Sequence, residues 1–466
     1  MNRNDVNMLS GSIFKGLLTI ALPIMVMNVL QSMFNIIDMT VLKSAGDETA
    51  VGAVGTCGTL ISLITGLLIG TSAGANVVCA RHIGRGDKES VERTVGTSIW
   101  FSILGGLFIS IVGVVFAELF LRLVNCPDKL LADAVTYFRI YFVGVPISMV
   151  YNFCASLLRS SGDSKRPMIF LTIGGVLKVI FNFIFVNFFS LGVTGVAIAT
   201  IISWGASMLL GLHALVKGSG LVKLSRERIR LYKKELIDVL RIGVPAGLQQ
   251  ALYSIANVII TATVNTYGPD ATTGVSIANT YDGILYQISV APSLAVMPFV
   301  SQNVGAGNIK RAKEAVWKGL LITTLLGGSI GALSAGFSAQ LASIMSSDPV
   351  VIAFAQQKMI IISSMYFICG INEIMGAALK GMGKPLVPAV CTLIFMCAIR
   401  FVWVYLVFPI WKEYGVDAFD LTFLYLIWPI GWTLSIITIL CFFFPTVRKL
   451  ELTIGQSQQQ PAQEAQ

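Results

Sequence analysis

Twelve long apolar runs divide the chain, near residues 15–42, 51–80, 94–118, 132–157, 168–189, 192–216, 239–266, 272–300, 316–345, 351–379, 386–409 and 419–445. Each is long enough to cross a bilayer as a helix. Backbone polar groups cannot go unpaired in hydrocarbon, so such runs fold as helices. The composition agrees: at 55% hydrophobic and 12% charged over 466 residues, the chain is too apolar for a soluble domain. The predicted fold class is all-α integral membrane, with twelve transmembrane helices.

The +9 net charge is distributed as a topology signal rather than a nucleic-acid footprint. Basic residues follow every second run. Arg81, Arg85, Lys88 and Arg93 follow the second, and Arg159, Lys165 and Arg166 the fourth. Lys217, Lys223, Arg226, Arg228, Arg230, Lys233 and Lys234 follow the sixth, and Lys310, Arg311 and Lys313 the eighth. Lys380 and Lys384 follow the tenth, and Arg448 and Lys449 the twelfth. The alternate loops carry acids, among them Asp47, Glu48, Asp128, Asp133, Asp270, Asp348, Glu413, Asp417 and Asp420. The positive-inside rule therefore places both termini in the cytoplasm of a multi-pass plasma-membrane protein. The polar start, MNRNDVNMLSGSIFKG, has no small-residue cleavage site, so the first span is expected to be retained.

The chain also repeats itself. TIALP at 19–23 is echoed by RIGVP at 241–245, ARHIGRGD at 80–87 by SQNVGAGN at 301–308, and LLRSSGDSKRP at 157–167 by ALKGMGKPLVP at 378–388. The order is kept and the offset is 221 or 222 residues. Six spans per half give both halves the same orientation, a parallel repeat of the kind found in transporters. The expected organisation is an amino-terminal six-helix lobe at 1–216, a basic cytoplasmic linker at 217–235, a pseudo-symmetric carboxy-terminal lobe at 236–447 and a disordered tail at 448–466.

Enzyme chemistry finds little support. Two histidines exclude a multi-histidine metal site, and the eight cysteines form no C-x-x-C; Cys57, Cys79, Cys154 and Cys441 lie in apolar runs and read as reduced core residues. The loops IGRGD, VGAGN and GMGKP follow no strand and complete no P-loop, so they read as helix C-caps and tight turns. HIGRGD matches an H-x4-D acyltransferase pattern, but its repeat mate carries Asn303 and Asn308 instead. No catalytic residue, metal, cofactor, nucleic acid or obligatory protein partner is indicated.

The twelve spans in two parallel halves, the first-span sequence LPIMVMNVLQSMFNIIDMT, the loop VSQNVGAGN and the segment ALKGMG together resemble the multidrug and toxic compound extrusion (MATE) family over residues 12–447. The resemblance implies an antiporter that exports small amphipathic compounds in exchange for protons or sodium ions by alternating access. The same superfamily includes flippases, so export of a lipid-linked or other envelope precursor is the alternative.

Five ionisable residues stand out within spans: Asp38, Lys178, Asp282, Glu373 and Arg400. A charge at a span centre costs about 2.5–3.5 kcal/mol on insertion scales, so each needs a partner or a task. Asp38 resembles the family's first-span coupling acid, which implies a cation-coupling site with residues 178, 182 and Thr200, and Glu373 resembles a coupling acid of bacterial members in the second half. Lys178 and Asn182, one turn apart, depart from the family's amide and acid at those places. A Lys178–Asp38 pair is expected. Arg400 follows Lys178 by 222 residues, and Asn257 is read as standing where Asp38 would fall. Arg400 is expected to pair with Glu373 or Asp282. Pro23 and its repeat mate Pro245 are expected to kink the first helix of each lobe.

Overall fold

The computed structural model describes residues 6–44, 48–124, 126–218, 222–413 and 420–464; Asp47 and Asp417 lie outside them, as do residues 1–5 of the polar start. Among the described residues there is no strand. Among the described residues ten helices are long and apolar enough to cross a membrane. The pair Pro349–Ser364 and Tyr366–Gly381, bent by 46°, passes the same test together and adds one more when counted as a single broken span. The seventh long helix, Lys233–Asn265, is absent from those ten; its Gln250, Ser254 and Asn257 line the cavity described below, and its Gln249 accepts from Lys380.

Exposed side chains such as Phe108, Ile111, Leu209 and Leu325 give the surface an apolar character no water-soluble fold would keep. Seven of the eight cysteines are buried and free, whereas Cys441 is exposed, contrary to its reading as a core residue.

Two compact units form, with limits that differ from those expected of the lobes. The first comprises Met1–Asn7 and Leu22–Gly247, the second Met8–Ala21 and Leu248–Gln466. The boundaries therefore fall inside the first and seventh long helices, within a turn of Pro23 and Pro245, and each helix runs on through its proline. Glycines explain why the start of Lys233–Asn265 belongs to the first unit. A Cβ on Gly74 would strike the Val239 carbonyl, one on Gly243 would strike that of Thr71, and one on Gly70 would strike Gly247. Small residues on both helices let the two backbones touch. The basic linker also belongs to this unit. Trp100 Nε1 donates to the Ile229 carbonyl (2.7 Å), Tyr232 N to Thr97 Oγ1 (3.1 Å), and Arg228 pairs with Glu89 (2.9 Å).

The last helix, Ile427–Glu464, continues through residues expected to be a disordered tail. Gln, Ala and Glu in that stretch are good helix formers, and the helix runs on past Gly455 and Pro461.

The glycine-containing loops are turns. After Glu48–Arg85, Gly86 adopts φ +70°, and Asp87 N reaches back to the His82 carbonyl (3.1 Å). The repeat mate Gly307 adopts φ +75°, with Asn308 N bonded to the Asn303 carbonyl (2.8 Å). This is the six-to-one bond of a Schellman cap, which needs a left-handed residue and so favours glycine. Asp87 then caps Lys88–Val115 by accepting from Ser90 N (3.0 Å), and Asn308 caps Ile309–Gly336 through Arg311 N (3.1 Å).

Two outcomes follow for these contacts. Gly74→Val or Gly243→Val forces the helices apart and destabilises the first unit by about 1–3 kcal/mol, read as a lower thermal midpoint in detergent. Asp87→Ala and Asn308→Ala each cost about 1 kcal/mol of cap stability. Hydrogen bonds from the Ser90 side chain and backbone hold the Asp87 carboxyl below its usual range. The Asp87 contribution is thus complete above the ordinary carboxylate range and fades as pH falls through the lowered value. Hydrogen exchange at the start of Lys88–Val115 should show that pH dependence, and exchange at the start of Ile309–Gly336 should not.

Candidate functional sites in the two units

In the first unit, the first helix (Ile13–Ser44) carries Asp38 and the fifth (Lys165–Phe183) carries Lys178 and Asn182. Lys178 Nζ lies 2.6 Å from Asp38 Oδ2, and Asn182 Nδ2 donates to Asp38 Oδ1, also at 2.6 Å. One helical turn between 178 and 182 lets two donors grip both oxygens of one carboxylate. The expected pair is present. All three residues are buried, with Asn182 fully inaccessible. The Asn182 Oδ1 atom has no hydrogen-bond partner. Thr200 is buried on Gly192–Lys217, but its hydroxyl donates to the Val196 carbonyl of its own helix. No direct bond from it to Asp38 is seen among the described residues.

Immediately after this site, the fifth helix widens into a π-helix at Ile184–Phe188. The span Leu386–Lys412 does the same on either side of Arg400, with π-helices at Thr392–Ala398 and Trp403–Val407. Such insertions re-aim side chains and recur at functional sites.

In the second unit, Arg400 is fully buried and Nη1 donates to Asn257 Oδ1 (2.7 Å). Its guanidinium lies over the Trp428 ring at 4.7 Å and the Tyr253 ring at 5.9 Å. Among the described residues it forms no ion pair with Glu373 or Asp282, which corrects the expected partnership. The amide and the π faces stabilise the cation instead. The repeat comparison also needs correcting. At an offset of 222 the mate of Asp38 is Ile260, and Asn257 lies one turn earlier on the same helix face.

Asp282 has a different partner, Lys358, whose Nζ lies 2.9 Å from Oδ2 and also donates to Asn279. The sequence reading missed Lys358. It sits in the apolar stretch AFAQQKMIII and meets the same test that singled out the other five. Glu373 is buried on Tyr366–Gly381 and feels the charge of Lys380, two turns along. Lys380, assigned to a loop from sequence, is buried at the end of that helix and donates to Gln249 (3.3 Å).

A cavity of 430 Å³ lies in the second unit, and its walls include Tyr253, Asn257, Asp282, Lys358 and Trp428. Gln250 and Ser254 from the seventh helix also face it, which accounts for part of that helix's polarity.

Long apolar helices, buried intramembrane charges and a cavity with aromatic and charged walls define a multi-pass membrane protein with the parts of a transporter. The MatE family model matches the chain twice, at residues 23–184 and 245–406, the two matches offset by the repeat spacing. The chain belongs to the MatE family, whose members are transporters rather than enzymes. It is 28% identical to the probable multidrug resistance protein YpnP of Bacillus subtilis, over 84% of this chain and 87% of that one. It is 25% identical to the probable multidrug resistance protein NorM of Thermotoga maritima, over 83% and 84% of the two chains. A solved MOP superfamily transporter from Pyrococcus furiosus superposes with a TM-score of 0.86 at 20% identity, covering 95% of this chain and 98% of that one. The shared fold is twelve-helical and two-lobed.

Removing Lys178 would leave a buried carboxylate without its cation. Lys178→Ala is expected to cost about 3–5 kcal/mol, with Asp38→Asn in the same chain restoring a large part of it. Thermal unfolding of the single and double variants in detergent measures both effects.

Proposed function

We propose that the protein is a plasma-membrane secondary exporter, with both termini cytoplasmic, that expels small amphipathic organic compounds in exchange for inward-moving protons. Transport proceeds by alternating access. The observation that carries this reading is the clamp on Asp38, a buried carboxylate with each oxygen held at 2.6 Å by a donor that a proton would release. The multidrug names of the relatives support the substrate class, and the basic alternate loops support the orientation.

The same geometry favours a proton over sodium. A sodium ion needs several oxygen ligands at once, and here the ammonium and the amide already occupy both carboxylate oxygens. A proton needs only one lone pair. Burial favours a neutral carboxyl and a neighbouring ammonium favours a charged one, so a modest change in access to water can tip the balance. Protonation of Asp38 frees Lys178 and leaves one uncompensated positive charge, which drives the local rearrangement. A cation moving down the membrane potential contributes about 2.3 kcal/mol per 100 mV.

Dye transport in everted vesicles tests this. A pH gradient alone should drive it, and Asp38→Asn should reduce the rate at least about tenfold, a barrier change of about 1.4 kcal/mol. Transport driven by a sodium gradient alone would overturn proton coupling. Indifference to both gradients would overturn antiport. An envelope defect on deletion, without dye sensitivity, would favour the flippase alternative.

A further inference from the structure

The proposed coupling site leaves the second unit's cavity without a task. Its aromatic walls include Tyr253, Tyr286, Tyr366, Trp428 and Trp432, and several hold fixed positions. Trp432 Nε1 donates to the Tyr253 hydroxyl (2.7 Å), and the Tyr366 hydroxyl donates to the Asp282 carbonyl (3.0 Å). At 430 Å³ the space is in the range of small-molecule sites and suits one or two fused rings.

The charges around this space are unequal. Lys358 lines it, is almost wholly buried, and has its ammonium 5.8 Å from the Trp428 ring centroid. Arg400 is one side chain removed, bonded to Asn257 and stacked on Trp428, both of which line the cavity. Its Nη2 has no hydrogen-bond partner, which is unusual for a buried charged donor. Among the residues that line the cavity the one acid is Asp282, and it engages Lys358; Glu373 stands outside the lining, near the charge of Lys380. The other Asp282 oxygen, Oδ1, is buried and also without a partner. An organic cation entering here would meet an uncompensated positive charge, whereas an organic anion would neutralise it.

We propose that this cavity binds a flat organic anion, an aromatic carboxylate in chemical class. Its ring packs among the tryptophans and tyrosines, and its carboxylate takes the Lys358 ammonium in competition with Asp282. Asp282 acts as a resident anion that keeps Lys358 paired when the cavity is empty. The inference rests on the exporter reading and narrows its substrates from amphipathic compounds in general to organic anions at this site.

Calorimetric titration of the purified full-length protein with 2-naphthoate, 2-naphthamide and 2-naphthylmethylammonium tests it, the three probes differing chiefly in charge. The carboxylate should bind at least about tenfold more tightly than the ammonium. Lys358→Met should weaken carboxylate binding about tenfold or more and leave the amide nearly unchanged, with Lys358→Arg retaining most of the affinity. Asp282→Asn should tighten carboxylate binding. Lys358→Met leaves Asp282 buried without its cation and so risks misfolding. The double variant Lys358→Met, Asp282→Asn removes both charges and should bind carboxylate and amide alike. Equal binding of the ammonium and the carboxylate by the native protein, or undiminished carboxylate preference in the double variant, would overturn the proposal. Binding of 2-naphthoate without its gradient-driven transport in vesicles would count against the exporter reading and leave the site intact. Transport of cationic dyes with no carboxylate binding would do the reverse.

Discussion

A charge buried in a membrane-spanning helix must be answered locally, and the grip of Lys178 and Asn182 on Asp38 is that constraint in its tightest form. Neither charge is tolerable alone in this setting, so each fixes the other's helix. The first helix must present Asp38 to the fifth, and the fifth must carry both donors on one turn. The π-helix that begins at Ile184 follows directly, so the helix rotates out of its regular pattern just beyond the site. The same pairing that stabilises this arrangement makes it responsive. Neutralising one partner removes the reason the other stays.

The second unit solves the equivalent problem by other means. Its fifth span also carries a cation, Arg400, and the first helix of the repeat again supplies the oxygen, here Asn257. An amide cannot cancel the charge, so Trp428 and Tyr253 contribute their ring faces. The second pair, Lys358 with Asp282, has no charged mate in the first half, where the 222-residue offset reaches Thr136 and Leu60. The duplication has thus kept the helix framework and one basic position while the chemistry on it has diverged.

How much of this the sequence disclosed depended on the range of each interaction. Lys178 announced itself as a lone cation in an apolar run, and Arg400 was recoverable because the repeat placed it opposite. The turns at Gly86 and Gly307 were legible for the same reason, since a Schellman cap is a local event. The partner of Arg400 was not legible, because an amide or an aromatic face can substitute for an acid and leaves no charge to count. Lys358 was missed although its signal was present, and Asp282 was therefore matched with the wrong cation. Nor could the sequence show that the lobes divide within two helices. In the seventh long helix the division follows from backbone contacts of Gly74 with Val239 and Gly243 with Thr71, which join residues far apart in the chain.

The two halves also differ in what a proton would do to them, and this bears on which half couples and which binds. At Asp38 one acid faces one ammonium, so protonation takes the local charge from zero to plus one. At Asp282 protonation would release Lys358 close to Arg400, whose guanidinium lies over the same Trp428 ring, so two cations would face one cavity with their single ion pair gone. Repulsion between like charges in a low-dielectric interior makes that second step the costlier. A ligand anion reverses the sign of the problem, because it supplies the charge that protonation would remove. The first unit is therefore the better place to take up a proton, and the second the better place to hold an anion.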